Sequence, residues 1–98
     1  MRTKFDISDF VDTRTIESVT SDLVNRIKLR RKEQKISQSK LSTISGVSFG
    51  SIRRFEETGE ISLKSFIKIA NALDYLEDID LLFKYEKILN LKGYFNVK

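Results

Sequence analysis

The chain has 98 residues and is 40% hydrophobic, enough for one small domain with a modest core. It contains no cysteine and no histidine, which removes disulfides, thiolate metal sites, and the commonest general base and transition-metal ligand. The start, Met1-Arg2-Thr3-Lys4, is polar and no apolar run approaches the length that spans a bilayer, so the expected home is a reducing cytoplasm, close to the nucleoid.

The net charge of +4 is unevenly spread. Residues 26–40 carry seven basic groups, Arg26, Lys28, Arg30, Arg31, Lys32, Lys35 and Lys40, against Glu33 alone. Residues 1–25 and 58–83 are net acidic, residues 41–57 balance, and the stretch from Lys84 onward is net basic. A basic stripe beside acidic surroundings suits a face that binds a polyanion. A solvated helix face produces the same pattern, so charge alone does not choose.

Residues 1–14 hold Phe5, Ile7, Phe10 and Val11 among acids and read as an arm or a short strand. Thr20 or Ser21 can cap a helix carrying Leu23, Val24 and Ile27, and Ile16 and Val19 extend its stripe backwards. Ser37 caps a short helix, Gln38–Ser45, with Leu41 and Ile44 inward, and Gly46 stands where a left-handed helix end is least costly. Ser48 caps the next helix, Phe49–Glu57, which carries Ile52 and Phe55 and breaks at Thr58-Gly59-Glu60. Ser62 opens an amphipathic helix with Leu63, Phe66, Ile67, Ala70 and Leu73 at spacings of three and four.

Asp74 introduces a last helix, roughly Leu76–Lys92, ended by Gly93; a hairpin about Lys92-Gly93 is the alternative. The fold class is therefore all-α with five helices, a short strand remaining open in either tail. Residues 1–19 form an arm or helix extension, 20–83 the central domain, and 84–98 a last helix and tail suited to dimer or partner contact. The acidic cluster Asp74, Glu77, Asp78 and Asp80 lacks the loop geometry of a calcium site and is explained by helix capping and dipole compensation. Neither catalysis nor a metal or other cofactor is expected.

The informative stretch is Gln38–Glu57. Two short helices meet at a turn containing Gly46, and Leu41, Ile44, Val47, Ile52 and Phe55 can share one core. The outer side of the second helix is left with Ser48, Phe49, Gly50, Ser51, Arg53 and Arg54, a small and basic face that fits against DNA.

Here residues 30–73 resemble the phage-repressor-like (XRE, Cro/cI-type) helix-turn-helix family, whose fold is lambda-repressor-like. The resemblance rests on Arg31, Ser37-Gln38, Leu41, Gly46-Val47-Ser48, Ile52 and Glu56 at one register. Departures from it are Ser42 and Ser45, expected to loosen the packing of their helix, and Gly50, at a position where many members place a base-reading side chain.

The resemblance implies a buried ion pair between Arg31 and Glu56, and double-stranded operator DNA as the partner. It places the helix at Ser48 in the major groove. Arg53 and Arg54 would read guanine or hold phosphate, and Phe49 would touch a thymine methyl or pack under the turn. Ser48 and Ser51 are further base or phosphate partners. Gln38 and Ser39, at the start of the preceding helix, would fix register on a phosphate, and Lys35 and Lys40 would add attraction blind to sequence.

A homodimer is expected, spanning half-sites about 34 Å apart, with Leu82, Phe83, Leu89, Tyr94 and Phe95 as its surface or as further core. Residues 46–83 further resemble the HipB-type antitoxins that pair with HipA-type kinase toxins, so a repressor and an antitoxin with a protein toxin partner both stand. A controller of a restriction-modification system is a third reading.

Overall fold

The computed structural model describes residues 13–87, and among these every regular element is a helix. The helices are α1 (Ile16–Glu33), α2 (Gln38–Ser45), α3 (Phe49–Thr58), α4 (Leu63–Ala72) and α5 (Leu76–Asp80). The all-α, five-helix class follows. Neither tail strand nor the hairpin about Gly93 can be placed, because both lie outside the described residues.

Hydroxyl side chains start four of the five helices. Ser37, Ser48 and Ser62 each accept from a backbone N–H three residues on, at 3.0–3.1 Å. That satisfies one of the donors every helix leaves open at its start. For α1 the cap is Thr15, paired with Ser18 in a reciprocal capping box, rather than Thr20 or Ser21. Thr20 lies one turn inside, where its hydroxyl donates back to the Ile16 carbonyl at 2.7 Å. The helix thus runs unbroken across residue 20.

Its early turns are not core. Ile16 is 82% exposed and Val19 45%, while Val24 on the adjoining stripe is buried.

Glycine ends α2 and α3: Gly46 and Gly59 take φ of 78° and 82°, a region that side chains disfavour. The ends of α1 and α4 reach the same conformation without glycine. Lys35 (φ 60°) and Asp74 (φ 72°) are left-handed, and the residues after them, Ile36 and Tyr75, donate back to Arg31 and Ala70 at 3.1 and 2.8 Å. These bonds are the Schellman pattern, and they satisfy carbonyls at the helix ends. Asp74 therefore closes α4 instead of capping α5. The last helix stops at Asp80, far short of Lys92, and Phe83 (φ 58°) follows fully exposed.

One core joins the elements: Val24 from α1, Leu41 from α2, Val47 from the turn, Ile52 and Phe55 from α3, and Ile69 and Leu73 from α4. Leu41, Ile52 and Ile69 are wholly shielded from solvent. Phe55 meets Phe66 edge-on, with ring centroids 5.9 Å apart.

Two inward expectations are corrected. Ile44 is exposed, and so is Leu63, because Ile69 and Leu73 supply the apolar surface that covers α2. The serines expected to loosen α2 instead tie its turn. Ser42 donates to the Val47 carbonyl at 2.7 Å, and Ser45 accepts from the Val47 N–H at 3.1 Å. Both polar groups of the Val47 backbone are satisfied while its side chain stays in the core.

Candidate nucleic-acid interface

α3 is anchored from one side only. Ile52, Phe55 and Glu56 are buried, and Ile52 and Phe55 insert into the core. Glu56 is the unusual member, a carboxylate inside a small protein, and its surroundings explain how it is tolerated. Arg31 of α1 grips it with both arms of the guanidinium: Nε donates to Oε2 at 2.8 Å and Nη2 to Oε1 at 3.0 Å. The third arm, Nη1, donates to the Ile36 carbonyl at 2.8 Å, and Gln38 at the start of α2 donates its amide to Glu56 Oε1, also at 2.8 Å. One carboxylate thereby fixes α1, the turn before α2, and α2 relative to α3.

Burial raises the carboxyl pKa of Glu56, but hydrogen bonds from Arg31 and Gln38, with the charges of Arg31 and Lys28, outweigh it and leave the pKa below its ordinary value. The pair is bidentate and charge-assisted, and every guanidinium nitrogen has a hydrogen-bond partner, which is the arrangement in which a buried ion pair is tolerable.

With that side fastened, the opposite side of α3 faces solvent. Ser48, Phe49, Gly50, Arg53 and Arg54 are exposed, and Ser51 is half-buried. Ser51 also receives a hydrogen bond from the Ser48 hydroxyl at 2.8 Å. Phe49 retains 45% of its surface, so it does not pack under the turn; the Arg53 guanidinium lies 5.9 Å from its ring centroid. No atom lies within 4 Å of where a Gly50 Cβ would sit, and Gly50 does not need a left-handed backbone. Nothing among the described residues asks for glycine there.

Beside α3, the first turn of α2 presents Ser39 and Lys40 to solvent, while Gln38 is half-buried with one amide N–H committed to Glu56. The sequence-predicted residues therefore gather on two adjoining helices, with Gln38 placed between the exposed face and the buried pair.

Two carboxylates that the sequence reading left out stand on the same face. Glu57, one turn along from Arg53, pairs with it at 3.5 Å. Glu60, past the end of α3, pairs with Arg54. The four-residue spacing of the first pair is a readable signal. The second pair bends around Gly59 and has no such spacing.

Among the described residues no helix is long and apolar enough to cross a membrane. No group of acidic side chains there is arranged to hold a metal ion. No curated protein matches the chain. The family model described as "Helix-turn-helix" matches residues 27–79, more than half of the sequence, and takes in α2, α3, α4 and most of the basic stripe. A turn opened by Gly46, a one-sided α3 and outward-facing arginines coincide with that match, and the chain belongs to the XRE-type helix-turn-helix family of DNA-binding transcription regulators.

Proposed function

We propose that this chain is a sequence-specific repressor that binds operator DNA as a homodimer, with α3 in the major groove. The observation that carries the reading is the division of α3: the Arg31–Glu56–Gln38 net and the core hold one side rigid, while Phe49, Gly50, Arg53 and Arg54 project from the other. A helix held this way offers base edges a preorganised set of donors. In this reading Arg54 and Arg53 read bases, and Phe49 contacts a thymine methyl. Ser48 and Ser51 take base or phosphate, and Gln38, Ser39 and Lys40 meet the backbone.

Dimerisation is supported by the apolar run beyond α5. Leu81, Leu82 and Tyr85 are more than half exposed, and Phe83 fully so. Of the other expected dimer residues, Leu89, Tyr94 and Phe95 lie outside the described residues. The same apolar run supports the second reading, a HipB-type antitoxin that binds a kinase toxin and its own operator. A kinase-like gene next door, and co-purification of its product with this chain, would separate the two. A cytoplasmic, nucleoid-associated location belongs to either.

The test is a gel-shift titration at two salt concentrations on a duplex selected from random DNA. Arg54→Ala is expected to cost ~1–3 kcal/mol on that duplex and to relax the sequence preference at one base pair. Lys40→Ala is expected to weaken every duplex about equally and to lower the salt slope by about one. Binding that ignores salt, or an Arg54→Ala protein that binds and selects like the parent, would overturn the proposal.

A further inference from the structure

The arginines on the outer face of α3 are not bare. Arg53 lies between the Phe49 ring and the Glu57 carboxylate, 3.5 Å away. Arg54 is paired with Glu60, and the chain is shaped to keep that partner close. After the left-handed turn at Gly59, the Glu60 N–H donates to the Thr58 hydroxyl at 3.1 Å, and that hydroxyl donates to the Arg54 carbonyl at 2.7 Å. All four charged side chains are more than half exposed, so neither pair contributes much to folding stability. The consequence for a ligand is larger. From Gln38 to Glu60 the basic groups Lys40, Arg53 and Arg54 are matched one for one by Glu56, Glu57 and Glu60. With Glu56 buried against Arg31, the exposed charges of this segment are Lys40, Arg53 and Arg54 against Glu57 and Glu60, so two of its three cations are held by carboxylates.

We infer that Glu57 and Glu60 are specificity-determining residues, which suppress binding to DNA of arbitrary sequence by holding Arg53 and Arg54 against the pull of phosphates. The inference rests on the reading of α3 as the DNA-facing helix. Its physical basis is the difference between the two targets an arginine meets on a duplex. A phosphate is an anion and is present at every step, so binding to it is electrostatic and blind to sequence. An arginine already paired gains little there, because one anion replaces another and the displaced carboxylate is left near further phosphates. Guanine O6 and N7 are neutral acceptors that take two of the five guanidinium donors. An arginine can therefore read guanine and keep a carboxylate on its remaining donors. The pairs penalise the indiscriminate contact and spare the selective one.

The experiment measures affinity for two duplexes, one of random sequence and one selected from a random pool, across a salt series. The proteins are the parent, Glu57→Gln, Glu60→Gln and the double variant. Glu77→Gln on α5 removes the same charge from another helix and serves as the control. Each single substitution on the α3 face is expected to tighten random-duplex binding by about three- to tenfold, the size of one unit charge at contact distance in water. Each is also expected to steepen the salt slope by up to about one. Affinity for the selected duplex should rise by less, so the ratio of selected to random binding narrows, and the double variant narrows it further. Glu77→Gln should leave the ratio where it was.

Random-duplex affinity and slope unchanged in all three variants would overturn the inference. So would equal gains on both duplexes, or a Glu77→Gln protein that matches Glu57→Gln, since either result reduces the effect to net charge. A parent protein that binds neither duplex at low salt overturns the DNA-facing reading of α3 and this inference with it, whereas normal parent binding with inert glutamates overturns this inference alone.

Discussion

Glu56 and Glu57 are neighbours in sequence and both pair with arginine, yet they sit on opposite sides of α3 and do opposite kinds of work. Glu56 and Arg31 are buried at 8% and 7% exposure, joined by two short bonds, and committed to two further partners. Glu57 and Arg53 are 64% and 56% exposed and meet at 3.5 Å. The inner pair has no water to fall back on, so each partner needs the other. The outer pair can exchange its bonds for water and, in the proposed reading, for DNA. One residue along the helix thus separates a buried, structural use of the Arg–Glu combination from a solvent-facing one, and the difference is set by solvent access rather than by residue type.

Removing one inner partner should produce the largest effect on folding. Glu56→Ala leaves the Arg31 charge buried and unpaired, and such a change typically costs about 3–5 kcal/mol. For a domain of this size that lowers the melting temperature by roughly 15 °C or more. Replacing Arg31 and Glu56 together by methionine should recover much of the loss, because no lone charge then remains. A Glu56→Ala protein melting within a few degrees of the parent would break the distinction between the two sides.

Acid gives a second view of the same pair. The folded state holds the Glu56 carboxyl below its ordinary pKa, so it favours the ionised form more than the unfolded chain does. The stability this provides is fully present above the ordinary carboxylate value and is lost as pH falls through the lowered one. Urea midpoints measured from about pH 7 down to about pH 3 should fall less steeply for Glu56→Gln than for the parent.

The glycines that end α2 and α3 sharpen the contrast at the level of the backbone. Both are left-handed, but a Cβ on Gly59 would lie 2.6 Å from the Thr20 methyl of α1, whereas one on Gly46 would meet nothing within 4 Å. Gly46→Ala should therefore cost about 1–2 kcal/mol, the conformational term alone. Gly59→Ala should cost about 2–4 kcal/mol, the same term plus overpacking against α1. Adding Thr20→Ala to Gly59→Ala removes the methyl in the way, and the cost should fall toward that of Gly46→Ala. Thermal melts of the four proteins decide it; equal costs at the two glycines would show that α1 yields freely at Thr20.

What could be read in advance divides along similar lines. The helix-turn-helix was legible because its signals are local: Ser37 and Ser48 as caps, Gly46 and Gly59 as stops, and Leu41, Val47, Ile52 and Phe55 as the inward set. The ends of α1 and α4 were not, since Lys35 and Asp74 adopt the left-handed conformation under the pull of the hydrogen bonds that Ile36 and Tyr75 make behind them. Asp74 looked like a cap for the same reason that aspartate often is one, its short polar side chain. Ile16 and Val19 looked like core because they continue the apolar stripe, but nothing among the described residues covers them as α2, α3 and α4 cover Leu41 and Ile52.

At the candidate interface the outward basic residues could be listed from the sequence. The Arg53–Glu57 pair was legible in its four-residue spacing but left unread, whereas Arg54 reaches Glu60 around a turn whose path the sequence does not reveal.

The smallest effect is expected where the outer pairs are tested for stability instead of binding. An exposed pair at four-residue spacing on a helix contributes about 0.3–0.5 kcal/mol, and the cation–π contact of Arg53 with Phe49 adds a similar amount at an exposed site. Glu57→Gln should accordingly move the melting temperature by no more than a few degrees, and in a double-mutant cycle with Arg53→Gln the coupling should stay below about 1 kcal/mol and shrink in salt. A coupling as large as that of the inner pair would mean that Arg53 is fastened to the protein too firmly to be released to a duplex. The outer side of α3 would then be a second structural surface, and the arginines on it would have to be read as struts.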